Sequence, residues 1–147
     1  MSYGLVVAVH LLAAIAFAGT VFFEVVMLRG IRDDVPRDAL REVMRAIDRR
    51  AVRVMPWVIA TLYGAGLTLA WHHREALAAP LASPYALLLT LKIALAASVF
   101  AHFATAMTWR ARGTMTARRS RRLHASVFCH VAAIVVLAKA RLLPLPW

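Results

Sequence analysis

Cysteine is nearly absent from this chain: Cys129 is the only one in 147 residues. No internal disulfide and no multi-cysteine metal site can form, and Cys129 itself reads as a small hydrophobe in the last apolar run. Acids are scarce too, with seven Asp and Glu against 18 Lys and Arg. The stretch before the first apolar run has no Arg or Lys, so it lacks the basic n-region of a secretory signal, and that run is expected to persist as a helix of the mature protein. No phosphate-cradling glycine loop, catalytic triad or metalloprotease signature occurs. Charge is also largely missing from four long stretches, and there the sequence says most.

Those stretches run over 4–28, 54–72, 85–109 and 123–140. Each is long enough to cross a hydrocarbon core of about 30 Å at about 1.5 Å per residue. The expected fold is all-α, an integral membrane four-helix bundle forming a single transmembrane domain over 1–147, with no room for a separate soluble domain. A formal charge of +11 would point to nucleic acid in a soluble protein, but its placement gives another reason. The segment 29–53 holds Arg29, Arg32, Arg37, Arg41, Arg45, Arg49, Arg50 and Arg53. The segment 110–122 holds Arg110, Arg112, Arg118, Arg119, Arg121 and Arg122 with no acid, whereas 73–84 has only Arg74. By the positive-inside rule both basic loops are cytoplasmic and both termini lie outside. The lipid bilayer is therefore the partner and nucleic acid is not. The expected location is the bacterial inner (cytoplasmic) membrane, with multiple passes.

Aromatic residues mark the predicted boundaries: Tyr3, Trp71, Tyr85 and Trp147 at outer ends, Trp57 and Trp109 at inner ends. In the cytoplasmic segment 36–53 and its continuation, Leu40, Val43, Met44, Ile47, Ala51 and Val54 fall at helical spacing opposite a charged face. This predicts either an interfacial helix or a helical extension feeding the second span, with Pro56 kinking the chain where it meets the membrane. The short outer connection with Pro80 and Pro84 predicts that the second and third spans are antiparallel neighbours.

Ionisable groups at depth are costly, about 2.5–3.5 kcal/mol each on insertion scales, and so are functional candidates by default. Here they are His10, Glu24, Lys92, His102, His130 and Lys139, with His72, His73 and His124 nearer the boundaries. Counting along the spans puts His10 and Lys92 at one level, roughly 9–11 Å below the outer boundary, and His72 on the same side. His102 and His130 share a second level toward the cytoplasm, where Glu24 also lies. Ser98 and His102 follow one stripe of the third span, and Ser126 and His130 one stripe of the fourth. Lys139 is expected to snorkel outward beside Arg141.

Buried imidazoles in an apolar bundle suit haem b. Shared depth permits a haem between His102 and His130. Antiparallel neighbours, however, pack about 8–10 Å apart, whereas two imidazoles flanking one iron usually need a wider, often diagonal, separation. His10 and His102 fall on diagonal spans but differ in level by roughly 16 Å, too far to share an iron. Copper is the rival, for Cu(I) favours thiolate, thioether and imidazole, and Met27, Met107, Cys129 and His130 offer them. For each buried histidine the structural alternative is a hydrogen bond to a Ser, a Thr or a backbone carbonyl of a neighbouring helix. Lys92 is placed to balance an anionic cofactor group or to carry a proton for a quinone.

The run VHLLAAIAFAGTVFFEVVML resembles the opening helix of the CopD-like membrane family, with His10, Phe17 and Gly19 in the places of its His, aromatic and Gly. RRAVRVMPWVIATLYGAGLTLAW, LKIALAASVFAHF and VVLAKAR are similar to that family's later helices and to those of the related HemJ-type protoporphyrinogen oxidases. The fourth span begins RRLHASVFCHVAAI where the HemJ pattern has an Asn-Glu pair, and the spacing from His10 to Gly19 follows the CopD-like pattern. The resemblance covers nearly the whole chain. It implies either copper uptake or resistance, or haem b binding with redox chemistry. The expectation is a haem b-binding redox or electron-transfer protein, its enzymatic status open. Its ligands would come from His10, His102, His130 and His72, with Lys92 as counter-charge or proton site and Glu24 as a cytoplasmic-side polar partner. The alternatives are haem-free copper transport and a non-catalytic membrane assembly factor. A quinone or other redox partner and a homo-oligomer belong to the same expectation.

Overall fold

The computed structural model describes residues 2–31 and 34–140. Arg32, Arg141 and Trp147 lie outside them, as do the side chains of Arg29 and Lys139. Among the described residues the chain is helical throughout, without a strand. Helix α1 (Tyr3–Phe22) runs on through a π-helical turn, Phe23–Met27, into a last turn at Leu28–Gly30. Then follow α2 (Arg37–His72), the short α3 (Arg74–Ala78), α4 (Pro84–Ala111) and α5 (Ala117–Ala140). Four helical segments are long and apolar enough to cross a membrane: Tyr3–Met27, Arg37–His72, Pro84–Ala111 and Ala117–Ala138. The protein is an all-α, multi-pass membrane protein.

The chain divides into two compact units, Met1–His72 and His73–Trp147. In the first, α1 packs antiparallel on α2: His10 meets Leu62 and Gly66, and Tyr3 meets His72. Val6, Ala13, Val21 and Ile59 are its buried apolar residues, with Leu28 at the end of the first helix. In the second, α4 packs antiparallel on α5, with Val99 and Val127 buried. Large apolar side chains elsewhere stay open, such as Leu12 at 67%, Leu67 at 70% and Trp57 at 77% exposure. At about 25 cal/mol per Å² such surface is unfavourable in water. It suits acyl chains.

Local chemistry sets the helix ends. Ser83 caps α4 by accepting a hydrogen bond on its Oγ from the Ala86 N–H at 3.1 Å, with Pro84 in the first turn where its missing N–H loses nothing. At the other end Gly113 takes φ +66°. Its N–H reaches the Arg110 carbonyl at 3.0 Å and the Thr114 N–H reaches that of Trp109 at 2.9 Å. Together these form the paired bonds of a Schellman stop, which favours glycine. Thr116 opens α5, its Oγ1 accepting from the Arg119 N–H at 3.2 Å. Because of that cap, α5 starts at Ala117 rather than 123, and four arginines of the second basic loop stand on its first turns. Cations at a helix N-terminus oppose the dipole. Arg119 offsets this by donating to the Thr114 carbonyl at 2.7 Å and stacking 4.9 Å over Trp109.

The amphipathic segment 36–53 was open to two readings, and the extension is the one observed. Helix α2 runs unbroken for 36 residues, through Pro56, from the basic segment to His72.

Candidate functional site

Each unit holds one histidine centre. In the first, His10 projects from α1 onto α2, half-buried, with Nδ1 3.0 Å from the Leu62 carbonyl. A carbonyl only accepts, so Nδ1 carries the proton and Nε2 keeps a basic lone pair. Nothing among the described residues engages that lone pair. The ring seats against Gly66: a Cβ there would stand 3.1 Å from His10 Cε1 and 3.4 Å from Nδ1. Glycine at 66 therefore makes room for the ring, whereas a Cβ at Gly64 would meet nothing within 4 Å.

The other residues expected near His10 in this unit are apart from it. His72 turns its Nδ1 back to the Thr68 carbonyl at 2.8 Å and sets its ring edge-on to Tyr3, centroids 5.6 Å apart. That places it about 10 Å along α1 from His10. Glu24 sits half-buried on the π-helical turn, about 21 Å along the same helix.

In the second unit His102 and His130 face each other, ring centroids 5.3 Å apart. Their hydrogen bonds are reciprocal. His102 donates Nδ1–H to the Ser98 carbonyl at 2.7 Å, and the Ser126 hydroxyl from α5 lies 2.9 Å from its Nε2. His130 donates Nδ1–H to the Ser126 carbonyl at 2.7 Å, and the Ser98 hydroxyl from α4 lies 3.1 Å from its Nε2. Each serine thus gives its carbonyl to the histidine of its own helix and its hydroxyl to that of the other. With both Nδ1 atoms protonated, both Nε2 atoms accept from hydroxyls. The sequence carries the signal for this in Ser-x-x-x-His, present as Ser98–His102 on α4 and as Ser126–His130 on α5, where Ser120–His124 repeats the spacing without a second such pair on α4. The stripes were legible, but not the crossing of the pairs.

This arrangement does not fit two axial ligands of one iron. Such nitrogens point at each other about 4 Å apart, twice the usual metal–imidazole distance. Here the rings cross in opposite directions, each Nε2 directed at the far helix. His10 would suit a metal ligand, since metal-bound histidines commonly donate their other N–H to a backbone carbonyl. Lys92 is half-buried on α4 and makes no hydrogen bond or ion pair among the described residues. Cys129 is exposed. No group of three or more His, Cys, Asp or Glu side chains gathers to hold an ion among the described residues. The Tyr85 hydroxyl and His73 Nδ1 are 3.1 Å apart, so Tyr85 ties the first turn of α4 to His73, the residue preceding α3. Comparison with protein families, curated proteins and solved structures gives no significant match.

Proposed function

We propose that this chain is a haem b-binding protein of the CopD-like type, acting in electron transfer in a bacterial inner membrane, with its basic loops in the cytoplasm. One observation carries the reading: the His10 ring is held by its Nδ1–H on the Leu62 carbonyl at 3.0 Å, leaving Nε2 as an oriented, basic, unengaged donor. When bound, haem b supplies a one-electron iron couple. The protein's part is to fix the ring. The Leu62 carbonyl sets its tautomer and raises its basicity, and Gly66 lets it lie close to α2. His102 and His130, each engaged by a serine, are not ligands in this reading. They join α4 to α5.

The visible spectrum and metal content of detergent-purified protein test this. A Soret band with reduced α and β bands, lost in His10→Ala and kept in His102→Gln, is the expected result. Colourless protein with stoichiometric copper would replace the reading by copper transport. Colourless, metal-free protein would leave only the assembly role.

A further inference from the structure

We propose that Arg118 and Arg122, on the first turns of α5, seat the phosphate of an anionic phospholipid. The two units are charged differently. Residues 1–72 hold eight Lys and Arg with six Asp and Glu, interleaved so that Arg41 pairs with Asp38 at 3.4 Å. Residues 73–147 hold ten Lys and Arg and a single acid, Glu75. Glu75 stands on α3 beside the start of α4, whereas the arginine-rich turn follows the end of α4, 28 residues or about 40 Å away. Cations one helical turn apart repel each other, and the dipole at the start of α5 opposes them as well. A counter-anion for these arginines is therefore absent from their own end of the unit.

The turn is a fixed frame. Gly113 closes α4, Thr116 caps α5, and Arg119 is taken up by the Thr114 carbonyl at 2.7 Å and the Trp109 ring at 4.9 Å. Arg118 and Arg122 are exposed, and no hydrogen bond or ion pair holds their guanidinium groups among the described residues. Four residues apart, they stand one above the other on one face of α5. It is not the face that meets α4, which carries Ser126, Val127 and His130. Their stripe continues through Ala125, Cys129, Ala132 and Val136, the last three exposed. In a membrane span such a stripe faces acyl chains, so the two guanidinium groups stand at the depth of lipid phosphates. Two guanidinium forks can share the oxygens of one phosphate. In phosphatidylcholine the quaternary ammonium offsets that phosphate, whereas phosphatidylglycerol keeps its net negative charge. The apolar stripe beneath favours an anion carried on acyl chains over a soluble one.

The inference uses only the membrane placement and is independent of the haem reading. The test is native mass spectrometry of the full-length protein in detergent, titrated with phosphatidylglycerol and with phosphatidylcholine of the same acyl chains. The first phosphatidylglycerol should bind about 25-fold more tightly than phosphatidylcholine, about fivefold for each arginine. Raising the ionic strength from about 0.1 M to about 1 M shortens the Debye length from about 10 Å to about 3 Å and should shrink that preference. Arg118→Gln combined with Arg122→Gln should abolish it, while Arg41→Gln combined with Arg45→Gln should leave it in place. Equal binding of the two lipids, an equal loss in both double variants, or displacement of the lipid by inorganic phosphate would each overturn the proposal. Tighter binding of a polyglutamate peptide would overturn it in favour of an acidic protein partner. The lipid comparison and its salt dependence use the wild-type chain, so they decide the matter even where a variant folds poorly.

Discussion

Replacing Gly66 with alanine should unseat His10. The new Cβ would stand 3.1 Å from Cε1 and 3.4 Å from Nδ1 of the ring, so the imidazole must tilt off the Leu62 carbonyl or the helices must part. Overpacking of this kind costs about 1–3 kcal/mol, and loss of the hydrogen bond about 0.5–1.5 kcal/mol. Against this stands a gain of about 1 kcal/mol from exchanging glycine for alanine inside a helix. The net loss is about 1–2 kcal/mol. Gly64→Ala is the control. It lies on the same helix two residues away, has nothing within 4 Å of its new Cβ, and should keep the propensity gain. The two variants should therefore differ by about 2–3 kcal/mol, a gap in Tm of roughly 4–12 °C for a chain of this size. Thermal unfolding in detergent measures it, with His10→Ala as a second background. Without the ring, the gap should fall below about 0.5 kcal/mol, since the penalty belongs to one contact. Equal shifts for the two glycines, or a gap that survives in His10→Ala, would refute the reasoning.

Three other outcomes follow, two from the geometry described and one from the proposed function. Ser126→Ala should leave His102 Nε2 without its donor and cost about 1–3 kcal/mol; Ser98→Ala should match it within about 0.5 kcal/mol by the reciprocity of the bonds, and Ser126→Thr should restore most of the loss in the same unfolding assay. Gly113→Ala should cost about 1–2 kcal/mol, because the φ of +66° puts a Cβ in the left-handed region, and Gly113→Asn should cost less. Under the haem reading proposed above, with Lys92 as its proton site, Lys92→Met should lower proton-coupled redox activity by about 100-fold while circular dichroism stays unchanged; unaltered cofactor content and turnover would remove Lys92 from that reading.

The four spans were legible because burial in lipid selects for long apolar runs whatever their packing. The ends were less so. Predicted starts at 54 and 123 follow the point where charge gives way to apolar sequence, but a backbone helix does not stop where its environment changes. Helix α2 therefore begins at Arg37, and α5 at Ala117 after the Thr116 cap. The π-helical turn at Phe23–Met27 left no trace in composition, since it shifts a hydrogen-bond register rather than a residue preference. At the histidines, counting by depth brought His102 opposite His130, yet the direction of each ring depends on rotamer and on which serine it meets. Gly64 and Gly66 stand two residues apart in one run of the second span. Gly66 is the one that His10 needs, a matter of side-chain reach that helical spacing does not encode.

An unbroken α2 also has a mechanical meaning. Its 36 residues make a rod of about 54 Å, of which the basic part, 37–53, is about 25 Å. A tilt of the membrane half by about 10° would sweep the arginine tip through about 4 Å, a stroke comparable to one helical turn. Pro56 weakens the rod near its middle by withholding one backbone hydrogen bond, so this is where it would bend under load. The segment rich in arginine is thus continuous with the helix that seats His10, and Pro56 is the point of least stiffness between the two.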